Sequence, residues 1–186
     1  MKYKGLEVFE VSFDNSEWEN VSLVDRPAIE VNFLRFSKDE EIRMTLNEEQ
    51  RIVSGPVLIP GQMIYRQFGD RECYIRFSAD TIKQFAIDFF RSDKQNEGNI
   101  QHMIDAEGIT FWESYILNKD RGIVPVEFAD LPDGTWILSA KIDNEGVWEA
   151  IKNGEIKGFS IGVQATITPS KDEIDSLEDL IDALKA

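Results

Sequence analysis

Short apolar segments separated by turn-forming residues are the feature that most constrains this fold. Residues 6–13 and 136–142 are rich in β-branched and aromatic side chains, the pattern of strands with at least one buried face. The segments after Ser78 and Asn144 repeat apolar residues at helical spacing. Many short strands with few helices predict a mainly β domain, either an antiparallel barrel or a sandwich, flanked by helices.

The predicted strands cover residues 6–13, 21–24, 31–36, 42–46, 52–61, 74–77, 99–103, 109–117, 136–142 and 159–168. A turn is expected at residues 14–16, where Asp, Asn and Ser follow one another. Pro56 has no amide proton to donate, so its strand is expected to meet a sheet edge or a bulge at that point.

Two helices are predicted from a capping residue followed by apolar positions on one face. The first is capped by Ser78, and its inward positions are Ile82, Phe85, Ala86 and Phe89. The second is capped by Asn144 and is expected to end at Gly154; its inward positions are Val147, Trp148 and Ile151. Residues 170–186 form an acidic amphipathic segment, expected as a helix that either docks on the β domain or begins a coiled coil. The predicted domains are therefore 1–169 and 170–186.

Charge and cysteine content exclude several classes of function. The 186 residues include 20 Lys and Arg against 35 Asp and Glu, a formal charge of -15. Such a charge repels nucleic acid and anionic membranes, while it suits solubility and basic protein partners. No apolar run is long enough to span a bilayer or to act as an export signal, which predicts a soluble cytoplasmic protein. The single cysteine, Cys73, predicts neither an internal disulfide nor a cysteine metal site.

The residues that indicate chemistry are Ser160 and His102. Ser160 lies in the string Lys-Gly-Phe-Ser-Ile-Gly of residues 157–162, at the start of a predicted strand with uncrowded backbone on both sides. A serine hydroxyl is a weak nucleophile until a base removes its proton, and histidine is the side chain best suited to that task near neutral pH. His102 is the only histidine, so it is the one candidate base.

Four strings in this order carry a family resemblance: residues 99–103 with the histidine, the strand containing Glu113, residues 133–143, and residues 147–162 with the serine. Together they resemble the prohead maturation proteases of tailed bacteriophages, more narrowly the branch in which a serine protease is fused to a scaffold. The similarity runs from about residue 21 to 168. It implies a barrel like that of the herpesvirus maturational protease, with a serine nucleophile, a histidine base and a third polar residue.

The third member of the expected triad is left open by the residues. Glu113 is the lone acid in an apolar strand, either as an outward-facing group or as a partner for His102 Nδ1. Asp105 is the main alternative for the third member, and Asp143 is the second alternative. The predicted catalytic set is thus Ser160, His102 and Glu113, with no cofactor and no metal, because catalytic zinc sites use more than one histidine.

The first functional hypothesis is a serine endopeptidase of capsid maturation. The resemblance implies that it cleaves the scaffold, an extra segment of the capsid protein, and itself, inside the assembling prohead in the host cytoplasm. The second hypothesis is a non-catalytic assembly or scaffolding protein with the same fold. Homo-oligomerisation is compatible with both hypotheses, and neither one calls for nucleic acid or a membrane.

Overall fold

A computed structural model describes residues 2–27, 45–47, 50–68 and 70–169. Its strands are β1 (Lys2–Tyr3), β2 (Leu6–Val24), β3 (Thr45–Asn47), β4 (Ile52–Leu58), β5 (Ile64–Phe68), β6 (Arg71–Arg76), β7 (Gly98–Ile100), β8 (Ile104–Ala106), β9 (Ile109–Ile116), β10 (Trp136–Ile142) and β11 (Gly158–Pro169). The helices are α1 (Ala79–Arg91) and α2 (Glu145–Lys152), with a short 3-10 turn at Val126–Phe128. None of the helices in these ranges is long and apolar enough to cross a membrane.

The long strand β2 organises the larger of two sheets. It pairs antiparallel with β11 along most of its length, parallel with β6 near its start, and parallel with β7 near its end. The path β5-β6-β2-β7-β8 is completed by the hairpin partner β1 and by β11, both of which pair with β2. Because β11 and β7 both pair with the last residues of β2, side chains from three strands converge there.

The smaller sheet has the order β3-β4-β10-β9, with every pair antiparallel. Its aromatic side chains pack against the larger sheet. The Phe111 ring on β9 lies 6.0 Å from the Phe159 ring on β11, and 5.7 Å from Phe89 on α1. All three side chains are almost completely buried. The core therefore lies between the two sheets, with α1 closing one side.

The predictions for the two capped helices are confirmed. Ser78 Oγ caps α1 by accepting a hydrogen bond from the amide of Thr81, and Asn144 caps α2 in the same way through the amide of Val147. The buried residues of α1 are Ile82, Phe85, Ala86 and Phe89, and those of α2 are Val147, Trp148 and Ile151. These are the predicted inward positions. A side-chain cap and an apolar stripe are local signals, so they are readable from sequence.

The predicted sheet arrangement is only partly correct. The fold is mainly β with two helices, but two pairings of β2 are parallel, and the described strands do not close into a barrel. The turn expected at residues 14–16 is wrong, because β2 continues through it. The strand β5 was not predicted. The expectations for residues 31–36 and for the tail 170–186 lie outside the described residues.

Pro56 shows how a proline is accommodated within β4. The β10 partner of Pro56 is Ile137, and the register between the two strands shifts next to that pair. On the other side of β4, β3 pairs only with Ile52, Val53 and Ser54. The proline thus lies beside an irregularity on one side and beyond the paired stretch on the other, as its missing amide proton requires.

Candidate active site

Ser160 lies on β11 with its side chain on the face opposite the core. Its neighbour Phe159 is 1% exposed and packs in the core, and successive side chains of a strand point to opposite faces. Ser160 itself is 6% exposed, and it lines a cleft of about 730 Å³. Ser160 follows a short connection between a helix and a strand, since α2 ends at Lys152 and β11 begins at Gly158.

Ser160 is the first member of a row of polar residues that crosses four adjacent strands. It pairs with Ser22 on β2, Ser22 pairs with Asn99 on β7, and Asn99 pairs with Asp105 on β8. Residues paired directly across neighbouring strands project from the same face of a sheet. Ser22 and Asn99 are buried, whereas Asp105 is exposed. We call this set the polar row.

His102 lies above the polar row in the turn that joins β7 to β8. The strand predicted for residues 99–103 ends at Ile100, so the histidine is in a turn and not in a strand. Gln101 and His102 have φ of 57° and 56°, a left-handed conformation that is costly for residues with a side chain. The Met103 amide closes the turn on the Ile100 carbonyl at 3.1 Å. Strain of this kind is commonly concentrated at functional sites.

The turn brings the imidazole of His102 over β2. The ring Nδ1 lies 3.0 Å from Ser22 Oγ and 3.0 Å from Asn20 Oδ1. Ser22 is directly opposite Ser160, and the strands of a sheet are roughly 5 Å apart. His102 and Ser160 line the same cleft. The structure therefore brings together two residues that are 58 positions apart in the printed sequence.

The electrostatic surroundings of His102 favour its neutral form. Burial of part of the ring lowers the pKa of His102, and the positive charge of Arg66 lowers it further, while Glu19 acts in the opposite direction. Arg66 and Glu19 both line the cleft. A histidine whose pKa is lowered is unprotonated at neutral pH, which is the form that a general base requires.

Glu113, predicted to orient His102, is placed on the other sheet. It pairs with Ser139 of β10, and Ser139 Oγ donates a hydrogen bond to Glu113 Oε2 at 2.6 Å. A register shift next to this pair interrupts the strand alternation, so Trp112 and Glu113 are both exposed. The structure brings Ser160 and His102 to one cleft, but it does not bring Glu113 there. Strand alternation could not predict this, because the bulge depends on the pairing with β10.

The two alternative acids differ in position. Asp143 follows β10, is exposed, and forms an ion pair with Lys141 at 3.2 Å. Asp105 belongs to the polar row, where its Oδ1 accepts a hydrogen bond from Asn99 Nδ2 at 3.0 Å. Of the three acids considered, Asp105 is the one connected to His102 through hydrogen bonds between described residues.

Sequence reasoning missed Asn20 and Ser22, which contact His102, and Asn99, which contacts Ser22. A signal for Ser22 was available, because it is the one polar side chain in the run of residues 21–24, and buried polar groups require partners. No comparable signal marks Asn20. Among the described residues, no group of three His, Cys, Asp or Glu side chains is arranged to hold a metal ion.

A serine and a histidine that line one cleft are the pair on which serine hydrolases rely. The chain belongs to the family described as "Putative phage serine protease XkdF", which matches residues 40–169 and so includes both residues. The predicted family of phage serine proteases is thereby confirmed.

The chain is also similar to a protein of Bacillus subtilis (strain 168) named "Uncharacterized protein YqbD", with 29% identity over 162 residues. That similarity covers 82% of this chain and 46% of the relative, so the chain spans less than half of the relative's length. No solved structure matches the chain.

Proposed function

We propose that this chain is a serine endopeptidase of phage capsid maturation, with Ser160 as the nucleophile and His102 as the general base. The observation that carries the proposal is the shared cleft: both side chains line it, and His102 is held at Nδ1 by Ser22 and Asn20. Anchoring one ring nitrogen leaves the other, Nε2, for proton transfer. The family match supports the reaction class.

The reaction follows from the roles of these groups. Ser160 Oγ attacks the carbonyl carbon of the scissile peptide while His102 Nε2 takes the hydroxyl proton. His102 then gives that proton to the leaving amine as the C–N bond breaks, which leaves an acyl group on Ser160. Water attacks this ester with His102 again as base, releasing the new carboxyl end and restoring the serine hydroxyl. Backbone amides near Ser160 stabilise the oxyanion in both steps.

The cleft suits a peptide with apolar side chains. Its walls include Val11, Ile75, Phe77 and Ile161, while Arg66 and Glu19 supply opposite charges. As substrates we propose the scaffold, an extra segment of the capsid protein, and the protease itself, cleaved inside the assembling prohead in the host cytoplasm. High local concentration there favours cleavage between copies of the chain, with or without a stable homo-oligomer.

The first experiment is labelling of the intact chain with a fluorophosphonate, followed by peptide mapping with mass spectrometry. We expect one adduct, on Ser160. Ser139→Ala is the matched control, since Ser139 is also a buried strand serine but lies in the smaller sheet. It should label normally, whereas Ser160→Ala should not label. An adduct on Ser22 would overturn the assignment of the nucleophile.

The second experiment is incubation of the chain at high concentration with its capsid and scaffold proteins. Cleavage should fall by roughly 10⁴-fold or more in Ser160→Ala, the scale of losing a serine nucleophile. If the folded wild type neither labels nor cleaves, yet still binds capsid subunits, the non-catalytic scaffolding function is the correct one.

A further inference from the structure

We propose that Asp105, Asn99 and Ser22 form a relay of hydrogen bonds that holds His102 with its proton on Nδ1. In this relay the three residues are positioning residues, and they replace a carboxylate bound directly to the histidine. The inference rests on the proposed function for its catalytic meaning. The arrangement of protons, however, can be tested without any activity.

The direction of the relay is set at its acidic end. Asp105 Oδ1 lies 3.0 Å from Asn99 Nδ2, and an ionised carboxylate can only accept hydrogen bonds. The amino end of the Asn99 side chain therefore faces Asp105, and its carbonyl end faces Ser22. Asn99 Oδ1 lies 2.9 Å from Ser22 Oγ. Ser22 Oγ also lies 2.9 Å from Asn20 Oδ1. Both oxygens only accept, so the hydroxyl proton of Ser22 goes to one of them, and the relay assigns it to Asn99, the branch that leads to Asp105.

The same logic then determines the tautomer of the histidine. A serine hydroxyl has one proton, and Asn99 Oδ1 and Asn20 Oδ1 can both only accept it, so Ser22 Oγ faces His102 Nδ1 as an acceptor at 3.0 Å. The proton between them belongs to Nδ1. Asn20 Oδ1, also 3.0 Å from Nδ1, is a second acceptor for that proton. In the neutral ring, Nε2 is then unprotonated and can serve as the base.

The relay also links the catalytic histidine to a negative charge. Each bond donates toward Asp105, and hydrogen bonds aligned in this way polarise one another. When Nε2 takes the proton from Ser160, the resulting imidazolium is stabilised through the chain. Ser22 is 0% exposed and Asn99 is 4% exposed, so water does not compete at the two central links. These are the tasks of the aspartate in a Ser-His-Asp triad.

The single histidine makes the tautomer directly measurable. In a chain labelled with ¹⁵N-histidine, one imidazole spin system appears, so no assignment is required. We expect a protonated Nδ1 and an unprotonated Nε2 at pH values above the pKa of His102. A proton on Nε2 in the wild type would overturn the relay. This result does not depend on whether the chain cleaves anything.

Two isosteric substitutions then separate the relay from simple charge removal. Asp105→Asn and Glu113→Gln each remove one negative charge from an exposed acid. We expect Asp105→Asn to lower the pKa of His102, measured by histidine NMR, since the imidazolium loses its remote partner. Glu113→Gln should leave it unchanged. Equal shifts in the two variants, or a shift only in Glu113→Gln, would overturn the proposal.

Cleavage kinetics distinguish a positioning role of Ser22 from a purely structural one. Ser22→Ala should lower kcat by about 10–100-fold with KM unchanged, as expected for loss of a group that orients a catalytic side chain. Ser139→Ala removes an equally buried serine hydroxyl from the other sheet, and it should leave kcat unchanged. If both variants lose kcat to the same extent, the effect is structural and the relay is wrong. A wild-type proton on Nδ1 without labelling of Ser160 would instead leave the relay intact and refute the proposed function.

Discussion

The substitution Gly162→Ala should disturb the candidate active site while leaving the fold intact. Gly162 pairs with Asn20 across β11 and β2. An added Cβ would lie 2.9 Å from Asn20 Oδ1, about 0.5 Å inside ordinary contact distance, and 3.3 Å from Glu19 Oε2. Gly162 has no left-handed φ, so alanine meets no backbone barrier. The Asn20 amide must therefore move, and with it the hydrogen bond to His102 Nδ1.

The expected change in stability is small because two effects oppose each other. Weakening the bond between Asn20 and His102 costs about 0.5–1.5 kcal/mol, the net value of a typical hydrogen bond. Replacing glycine by alanine within a strand returns roughly 0.5–1 kcal/mol through reduced freedom of the unfolded chain. The free energy of unfolding should hence change by less than about 1 kcal/mol. The imidazole of His102, in contrast, loses one of the two hydrogen bonds at Nδ1 that orient it.

Urea unfolding measures the free energy of unfolding. Histidine NMR and cleavage rates measure the effect on the orientation of His102. Asn20→Ala is the matched variant, since it removes the same hydrogen bond from the other side. If Gly162→Ala acts through Asn20, the double variant should be no worse than Asn20→Ala alone. If Gly162→Ala lowered the free energy of unfolding by more than about 3 kcal/mol, or if its effect on cleavage added fully to that of Asn20→Ala, the substitution would be separating the strands. Either result would refute the reasoning.

The remaining predictions concern the same cleft and its supports. Gly98→Ala should lower the free energy of unfolding by about 1–3 kcal/mol. The new Cβ would lie 2.5 to 2.9 Å from three atoms of Ile109, a side chain that is 1% exposed. A loss below about 0.5 kcal/mol in urea unfolding would contradict this prediction. Arg66→Gln should raise the pKa of His102 and move the acid limb of cleavage to higher pH, since a nearby cation is removed. Because the pKa of His102 is lowered on folding, its imidazole binds fewer protons in the folded than in the unfolded state as the pH falls below about 6.5. The contribution of His102 to stability therefore increases with pH there, and Arg66→Gln should flatten that dependence. Gln101→Gly should raise the unfolding free energy by up to about 1 kcal/mol by relieving the left-handed φ, and reduced stability in the same assay would argue against strain.

The helices and several strands were predictable because their signals are local. Capping by Ser78 and Asn144, and the apolar spacing that follows each, depend on residues within a few positions. The run at residues 136–142 became β10 with the bounds predicted. In the same way, a glycine-flanked serine and a single histidine marked Ser160 and His102 as candidates before any contact between them was known.

Pairing between distant strands was not predictable from these patterns. Residues 14–16 look like a turn in isolation, yet β2 continues through them between its pairings with β11 at Ser12 and Glu17, where the register shifts. From the sequence Glu113 is either an outward-facing acid or a partner for His102, and the bulge beside its pairing with Ser139 leaves it exposed on the smaller sheet. In each case a tertiary contact overrides a local preference, which is the usual limit of reasoning from propensity.

By itself the sequence determined the chemical inventory: one histidine, one serine in a glycine-flanked strand, an acidic surface, and elements whose type follows from periodicity and caps. Only the tertiary structure decided which acid is connected to His102 through hydrogen bonds. The register of four strands aligns Ser160, Ser22, Asn99 and Asp105 in one row, and register is set by pairing between segments up to 138 residues apart in the printed sequence. Because hydrogen bonds act over about 3 Å, catalytic partners are defined by that register and not by spacing along the chain.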